Sequence, residues 1–465
     1  MRLILLMVSA AMVAILAATP VRAQTPAGPS EGQAARARGA AALAARDFAG
    51  AETAYVEVLE IERQAGPGSD ALGEALYALA YAKSRTPGDD AFALWAEALA
   101  VFEANGNWAR AAATAGAAAT DHGNAADAAE AMRLARLGVA HAERSGQAAV
   151  RGQALRVLGM ILGEAGDYAE AEVVLEPSLV LLGGPTADAA APVLDELGFV
   201  YQATHRYDRA GTVLGQAVTL KERLNGPGSY PVALSLNALA MLRDAQGRTA
   251  EAETLYRRAM RLAETNGRAA AAAAIRSNLG WAIQQQGRYA EAEPLLRQAA
   301  EAAETSLGRN HEDAASAWAN LAGNLQDQGR HAEAAAILKD AVARYEATVG
   351  RDHLLTAWSL NALARSTAAL DGEAAAGPLY AEALAISEAR LSPGHPDRVR
   401  RANDMAEHWL VQARPDAAMP LIRTTGIAVR ARLDTARLGG ERAPALDRGR
   451  RVFGLQVRGA WVLAH

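Results

Sequence analysis

One alanine recurs along this chain at a nearly constant distance: Ala171, Ala210, Ala252, Ala292, Ala334, Ala376 and Ala418, in steps of 39, 42, 40, 42, 42 and 42 residues. An aliphatic residue or a tyrosine follows each after four residues, and usually a small residue after seven. A leucine ladder, Leu158, Leu197, Leu239, Leu279, Leu321 and Leu363, keeps the same phase thirteen residues upstream. A period of this length means stacked helical units, each burying its apolar face on its neighbours. The stretch Leu279–Ala299, LGWAIQQQGRYAEAEPLLRQA, shows the unit. It reads as a helix, a break at Gly287 and a second helix. Helices joined so tightly lie antiparallel, and small residues stand where they cross: Gly280 on the first, Ala292 and Ala299 on the second.

The pattern Leu–Gly/Ala, then Gly-Arg-Tyr at the turn, then Ala-Glu-Ala-Glu-x-Leu-Leu/Tyr-x-x-Ala resembles the tetratricopeptide repeat. The 42-residue spacing with a Gly-x-x-His loop (Gly308–His311, Gly350–His353) is similar to the longer-helix subtype of kinesin light chain and many bacterial proteins. The resemblance is strong from Leu158 to about Asp434 and degenerate from Gly39 to Gly146. It implies an all-α fold, a right-handed α-solenoid of about ten antiparallel helix hairpins. It says nothing of the partner.

The chain has 465 residues, 51% of them hydrophobic by type, with alanine prominent and aromatics at 5%. A single compact core does not grow to that length, whereas an array in which each repeat packs only on its neighbours does. Alanine favours helix and lets helix axes approach closely. Net charge is −5. Residues 398–465 hold 13 Arg against 6 acids, and residues 24–397 carry −14. So acidic a body argues against a nucleic-acid ligand, since phosphate contacts need clustered Lys and Arg. Cysteine is absent, which excludes disulfides, thiolate metal sites, a cysteine nucleophile and an acylated N-terminal cysteine.

Met1–Ala23 reads as a secretory leader: Arg2 as the charged start, Leu3–Ala18 as the apolar stretch, Pro20 as the break and Val21-Arg22-Ala23 before the cut. The apolar run is shorter than the roughly 20 residues a membrane-spanning helix wants. The mature protein is expected to be periplasmic or secreted, without a membrane span. Residues 24–33 read as a flexible linker. Residues 34–146 read as three degenerate hairpins, turning at Arg46-Asp47, at Thr86–Asp89, where Asp89 can cap the next helix, and near His122–Asn124. Residues 147–434 form the regular array. Its breaks fall at Gly166, His205, Gly247, Gly287, Gly329, Asp371 and Ala413. Glycine takes the left-handed conformation that ends a helix at little cost; His205, Asp371 and Ala413 must manage otherwise, and of these Ala413 fits worst. Residues 435–465 read as an Arg-rich capping helix or junction.

Enzyme signatures are missing: no strand–glycine loop–helix, no nucleophile elbow, no HExxH. His311, His353 and His395 recur at 42 residues, which suggests a metal ladder. Ligands of one ion must sit within about 2.0–2.3 Å of it, while equivalent residues of stacked hairpins stand about 20 Å apart, two helix diameters. Each His instead opens a hairpin, where it can bond to backbone. No metal and no cofactor is expected.

In a repeat array of this kind, recognition belongs to the concave face. Leu279, Gly280 and Ile283 form the packing stripe of the central first helix, so at about 100° per residue the opposite face falls at Ala274, Ser277, Trp281, Gln284 and Gln285. Elsewhere the same face offers Asp195, Phe199 and Gln202; Asn237, Met241 and Asp244; Gln326 and Asp327; Trp358, Asn361 and Arg365. In the family this face holds extended peptides, which the resemblance implies here for Asn237, Met241, Trp281, Gln284, Gln285, Gln326, Trp358, Asn361 and Arg365. Side-chain amides both donate and accept, so they can pair with a peptide backbone; Trp and Met supply anchor area. The amides are expected to be exposed, because burying one unpaired costs about 1–3 kcal/mol. Trp318 falls on the packing side.

The leading expectation is thus a non-catalytic protein- or peptide-binding scaffold of the bacterial cell envelope. The alternative is the regulatory arm of a caspase-like (CHAT) protein, because similar bacterial proteins place exported arrays before such a domain. The Cys and His that domain needs would then come from a separate chain or from sequence lost here.

Overall fold

The computed structural model describes residues 31–438, apart from 67, 87–90, 125–126, 392 and 394. The expected leader Met1–Ala23, most of the linker, the cap at Asp89 and the segment Glu441–His465 lie outside the described residues.

Among the described residues there are twenty α-helices in ten consecutive hairpins and no strand. The first five pairs are α1 (Glu31–Ala45) with α2 (Phe48–Ala65), α3 (Asp70–Lys83) with α4 (Phe92–Ala104), α5 (Trp108–Asn124) with α6 (Ala128–Ser145), α7 (Ala148–Ala165) with α8 (Tyr168–Leu181), and α9 (Ala191–Ala203) with α10 (Tyr207–Asn225). The other five are α11 (Tyr230–Ala245) with α12 (Thr249–Thr265), α13 (Ala269–Gln284) with α14 (Tyr289–Leu307), α15 (Glu312–Asp327) with α16 (His331–Thr348), α17 (Leu354–Asp371) with α18 (Glu373–Arg390), and α19 (Pro396–Val411) with α20 (Pro415–Leu438). The chain divides into two compact units. Among the described residues, the first comprises those up to Thr204 with Thr212–Leu224, and the second comprises His205–Gly211 and those from Asn225 on.

The two ladders meet inside each hairpin. The residue after the ladder leucine is always Gly or Ala, and it faces the side chain four residues beyond the ladder alanine. A Cβ on Gly159 would come within 2.4 Å of Leu175, one on Gly198 within 2.5 Å of Leu214, and one on Gly280 within 2.7 Å of Leu296. All three leucines are no more than 1% exposed. Glycine is thus the residue that lets the second helix seat a large side chain against the first backbone.

The recurrent Arg and Glu residues around each turn bind successive repeats. Arg288 pairs with Glu291 of its own second helix and with Glu253 of the preceding one, at 2.6 and 2.8 Å. Arg330 does the same with Glu333 and Glu293, at 2.6 and 2.7 Å. Hydrogen bonds from Arg297, Gln328 and Arg330 hold the Glu293 carboxyl down at about 2.

At the breaks, Gly166, Gly247, Gly287 and Gly329 have φ of 75–87°, as expected. At the break assigned to Asp371, the left-handed residue is Gly372 (φ 86°), and Asp371 ends the helix. Arg46, His205 and Ala413 take φ of 60, 61 and 54° without being glycine, at a backbone cost of roughly 1 kcal/mol each. His311, His353 and His395 are helix N-caps. Their Nδ1 atoms accept backbone N–H bonds from Asp313, Leu355 and Asp397 at 3.2, 3.3 and 3.2 Å. Among the described residues no group of three or more His, Asp or Glu is placed to hold a metal ion, and no helix is long and apolar enough to cross a membrane.

Candidate functional site: the first-helix face of the second unit

The residues expected along this face separate into two sets. Trp281 is 46% exposed, and Gln285 and Arg365 are exposed with it; Met241 and Trp358 are half-buried. The other four, Asn237, Gln284, Gln326 and Asn361, are only 5–8% exposed. Their expected exposure does not hold, because each finds a partner on the neighbouring first helix.

The partners follow a rule. Asn278 on α13 donates to the Asn237 carbonyl on α11 at 3.1 Å, Asn320 on α15 donates to Ser277 on α13 at 3.1 Å, and Asn361 on α17 donates to Asp404 on α19 at 2.7 Å. In each rung the residue two before the ladder leucine of one repeat meets the residue one before the equivalent position of the next. A second set of bonds lies about two turns further on. Gln284 donates to Asp327 at 2.6 Å and accepts from Asn324 at 3.3 Å; Gln326 donates to Ser366 and to the Ala362 carbonyl at 2.6 and 2.7 Å. Paired this way, the amide N–H donors escape the penalty of burial, while the Asn361 Oδ1 and Gln326 Oε1 acceptors are buried without a hydrogen-bond partner. These amides hold repeat to repeat.

What remains open is a row two residues after the ladder leucine: Met241, Trp281, Gly323 and Arg365. Gly323 was missed in the sequence, although the repeat register places it between Trp281 and Arg365. A Cβ there would meet nothing within 4 Å, so no neighbour fills the space beside it. Arg365 makes a long ion pair of 3.9 Å with Asp327, both side chains being solvent-accessible. Asp244, one turn beyond Met241, is half-buried, and burial pushes its carboxyl up to about 6. The row offers an exposed indole, a free strip of helix backbone side and a guanidinium that a ligand can recruit.

The fold and this face define an all-helical repeat protein. A tetratricopeptide-repeat family model matches residues 189–265, 271–347 and 313–389, so this part of the chain carries tetratricopeptide repeats. Kinesin light chain nearly identical TPR-like repeats from Podosopora anserina are 24% identical over 44% of this chain and 99% of that chain, with a TM-score of 0.38. A signal transduction ATPase with numerous domains and a tetratricopeptide repeat sensor, from Pyrococcus horikoshii, is 12% identical over 79% of this chain and 54% of that one, with a TM-score of 0.54. The Rap conjugation gene regulator of plasmid pLS20, solved in complex with a peptide, is 15% identical over 68% of this chain and 78% of that one, with a TM-score of 0.45. A search of curated proteins returned no match.

Proposed function

We propose that the chain is a non-catalytic scaffold of the bacterial cell envelope, and that it holds a protein or peptide partner along the first-helix face of its second unit. The exposure of Trp281 carries this reading. A tryptophan left 46% exposed beside an unfilled strip at Gly323 is the kind of anchor on which binding energy concentrates. Arg365 supplies orientation and charge at the other side of the strip. The buried amides contribute by keeping the first helices in register, so that the row is presented on a rigid support.

Partner capture from an envelope extract, run with wild type and Trp281→Ala, tests the reading. A protein held by wild type and released at least about tenfold more readily by the variant supports it; capture that Trp281→Ala and Arg365→Ala leave unchanged would overturn it. Asn361→Ala is unsuitable here, because Asn361 is buried and bonded to Asp404. Export rests on the leader-like Met1–Ala23. N-terminal sequencing of the native protein is expected to begin at Gln24; an N-terminus at Met1 in the cytosolic fraction would sink the export proposal.

A further inference from the structure

Trp318 and Arg344 stand where the next repeat, 42 residues on, has Leu360 and Ile386. Those two aliphatics are 3% and 7% exposed and pack in one cluster with Ala357 and Ala383. At this junction Trp318 is only partly buried, packed against the cluster of Ala273, Ala300, Ala303, Ala314 and Ala317. A cavity of about 550 Å³ opens there, with Trp318, Arg344, Ala336 and Ile337 in its lining and Glu301 and Thr305 completing the wall on α14.

Four charged groups close a ring around it. Arg309 reaches Glu304 at 3.5 Å and Asp340 at 2.6 Å; Arg344 reaches Glu304 at 3.1 Å and Asp340 at 2.6 Å. Half of the ring recurs one repeat on, where Arg351 pairs with Glu346 and Glu382, both at 2.6 Å. Trp318 and Arg344 are therefore what this junction adds. The Trp318 indole donates to Glu304 at 2.6 Å, which fixes the orientation of the ring plane. Burial pulls the Glu304 carboxyl up, but the bonds from Trp318 and Arg344 outweigh it and keep the group below its ordinary value, so it stays charged.

Folding alone gives no reason for this substitution. Arg344 is 8% exposed and its Nε has no hydrogen-bond partner. Desolvating a guanidinium offsets most of what its ion pairs return, and an aliphatic residue of similar size packs at least as well. The lining carries three carboxylates, Glu301, Glu304 and Asp340, against two arginines. The excess charge sits on Glu301, which is exposed and has no ion-pair partner among the described residues.

We propose that this cavity binds a small organic cation, an ammonium or guanidinium on a short apolar or flat body, with the charge at Glu301 and the body against Trp318 and Ile337. Its volume lies in the range of small-molecule sites, and an indole beside a carboxylate attracts a cation. The same chemistry is carried by a free amine and by a lysine side chain. The site shares no residue with the Trp281 row, so its failure would leave that reading untouched.

Calorimetry on the full chain with three probes of one shape tests it: benzylammonium, benzoate and benzyl alcohol. Benzylammonium is expected to bind at least about tenfold more tightly than the other two. Trp318→Leu/Arg344→Ile installs the pair that the next repeat already accommodates and is expected to abolish binding, with the melting temperature kept. Glu301→Gln, a change on the surface, is expected to weaken benzylammonium roughly two- to fivefold without affecting benzyl alcohol; it decides the matter should the double variant not fold. Benzoate bound as well as benzylammonium, or binding unchanged in Glu301→Gln, would overturn the proposal. Nα-acetyl-lysine amide distinguishes the sources: competition equal to benzylammonium assigns the site to a protein lysine, and none assigns it to a free amine.

Discussion

In the second unit, the rung between successive first helices is built from neutral amides and hydroxyls, Asn237 with Asn278 and Ser277 with Asn320, and from Asn361 with Asp404. In the first unit the same two repeat positions hold Arg156 on α7 and Glu196 on α9. Here the two positions carry opposite charges that influence each other without a direct ion pair. Arg156 is 7% exposed, and burial lowers its affinity for the proton, Glu196 opposing this. Burial also pushes the Glu196 carboxyl up to about 7, more than Arg156 can pull it back, and the charges of Asp195 and Glu164 add to the rise. One backbone geometry thus accepts two chemistries with different consequences. An amide pair has no proton to lose near neutral pH, so its balance does not change there, whereas a carboxyl buried near a guanidinium retains a desolvation cost that depends on protonation. Among the described residues of the second unit, a comparable carboxylate is Asp244, off the rungs.

The largest effect is expected at Asn361. Asn361→Ala removes a buried bond to a carboxylate and leaves a small void, together worth about 2–3 kcal/mol. Hydrogen exchange of α17 and α19 is the measurement, because a repeat array opens locally and a single melting temperature averages over it. Protection of these helices unchanged from wild type would show that the amide rung is not holding the repeats together. The contrasting variant is Trp281→Ala on the same face, an exposed residue whose loss is expected to shift local stability by less than about 1 kcal/mol.

Glu196→Gln probes the buried carboxyl at the corresponding position of the first unit. The folded state raises this carboxyl above its ordinary value of 4.5 to about 7, so folding favours the protonated form. The stabilising contribution of that form is complete below pH 4.5 and is lost as pH rises through 7. At pH 8 the wild type therefore carries an unfavourable charge that Gln lacks, and the variant is expected to be more stable there by about 1–2 kcal/mol. At pH 5 the two should agree. A variant less stable at pH 8 would mean that the attraction to Arg156 exceeds the cost of burial, and the contrast between the units would disappear.

The ladder leucines and alanines and the Gly-Arg breaks made the hairpins legible, because packing of adjacent elements repeats with the chain. The histidine caps were legible for the same reason. The fate of the amides was not, since Asn361 meets Asp404 across 43 residues and no local pattern says which side chain faces which. The rule of two-before to one-before becomes visible only once the rungs are seen. At Arg46 and Ala413 the chain takes a left-handed backbone that conformational preference would assign to glycine. Position alone places Trp318 on the packing side; the cavity beside it depends on Arg344, 26 residues away on another helix, and only the two together mark this junction's departure from the Leu and Ile of the next repeat.

The finest distinction between the rungs is the sign of a coupling energy. A double-mutant cycle of Asn237→Ala and Asn278→Ala should report an attraction of about 0.5–1 kcal/mol that does not vary between pH 5 and pH 8, since neither side chain titrates. The cycle of Glu164→Ala and Glu196→Ala should report the opposite sign at pH 8, about a few tenths of a kcal/mol of repulsion, because each carboxylate raises the cost of charging the other. At pH 5 Glu196 holds its proton and that coupling should vanish. Attraction in both cycles would mean that a bridging water or a shared counter-charge joins the carboxylates. The first unit would then be held together along this face by the same neutral logic as the second.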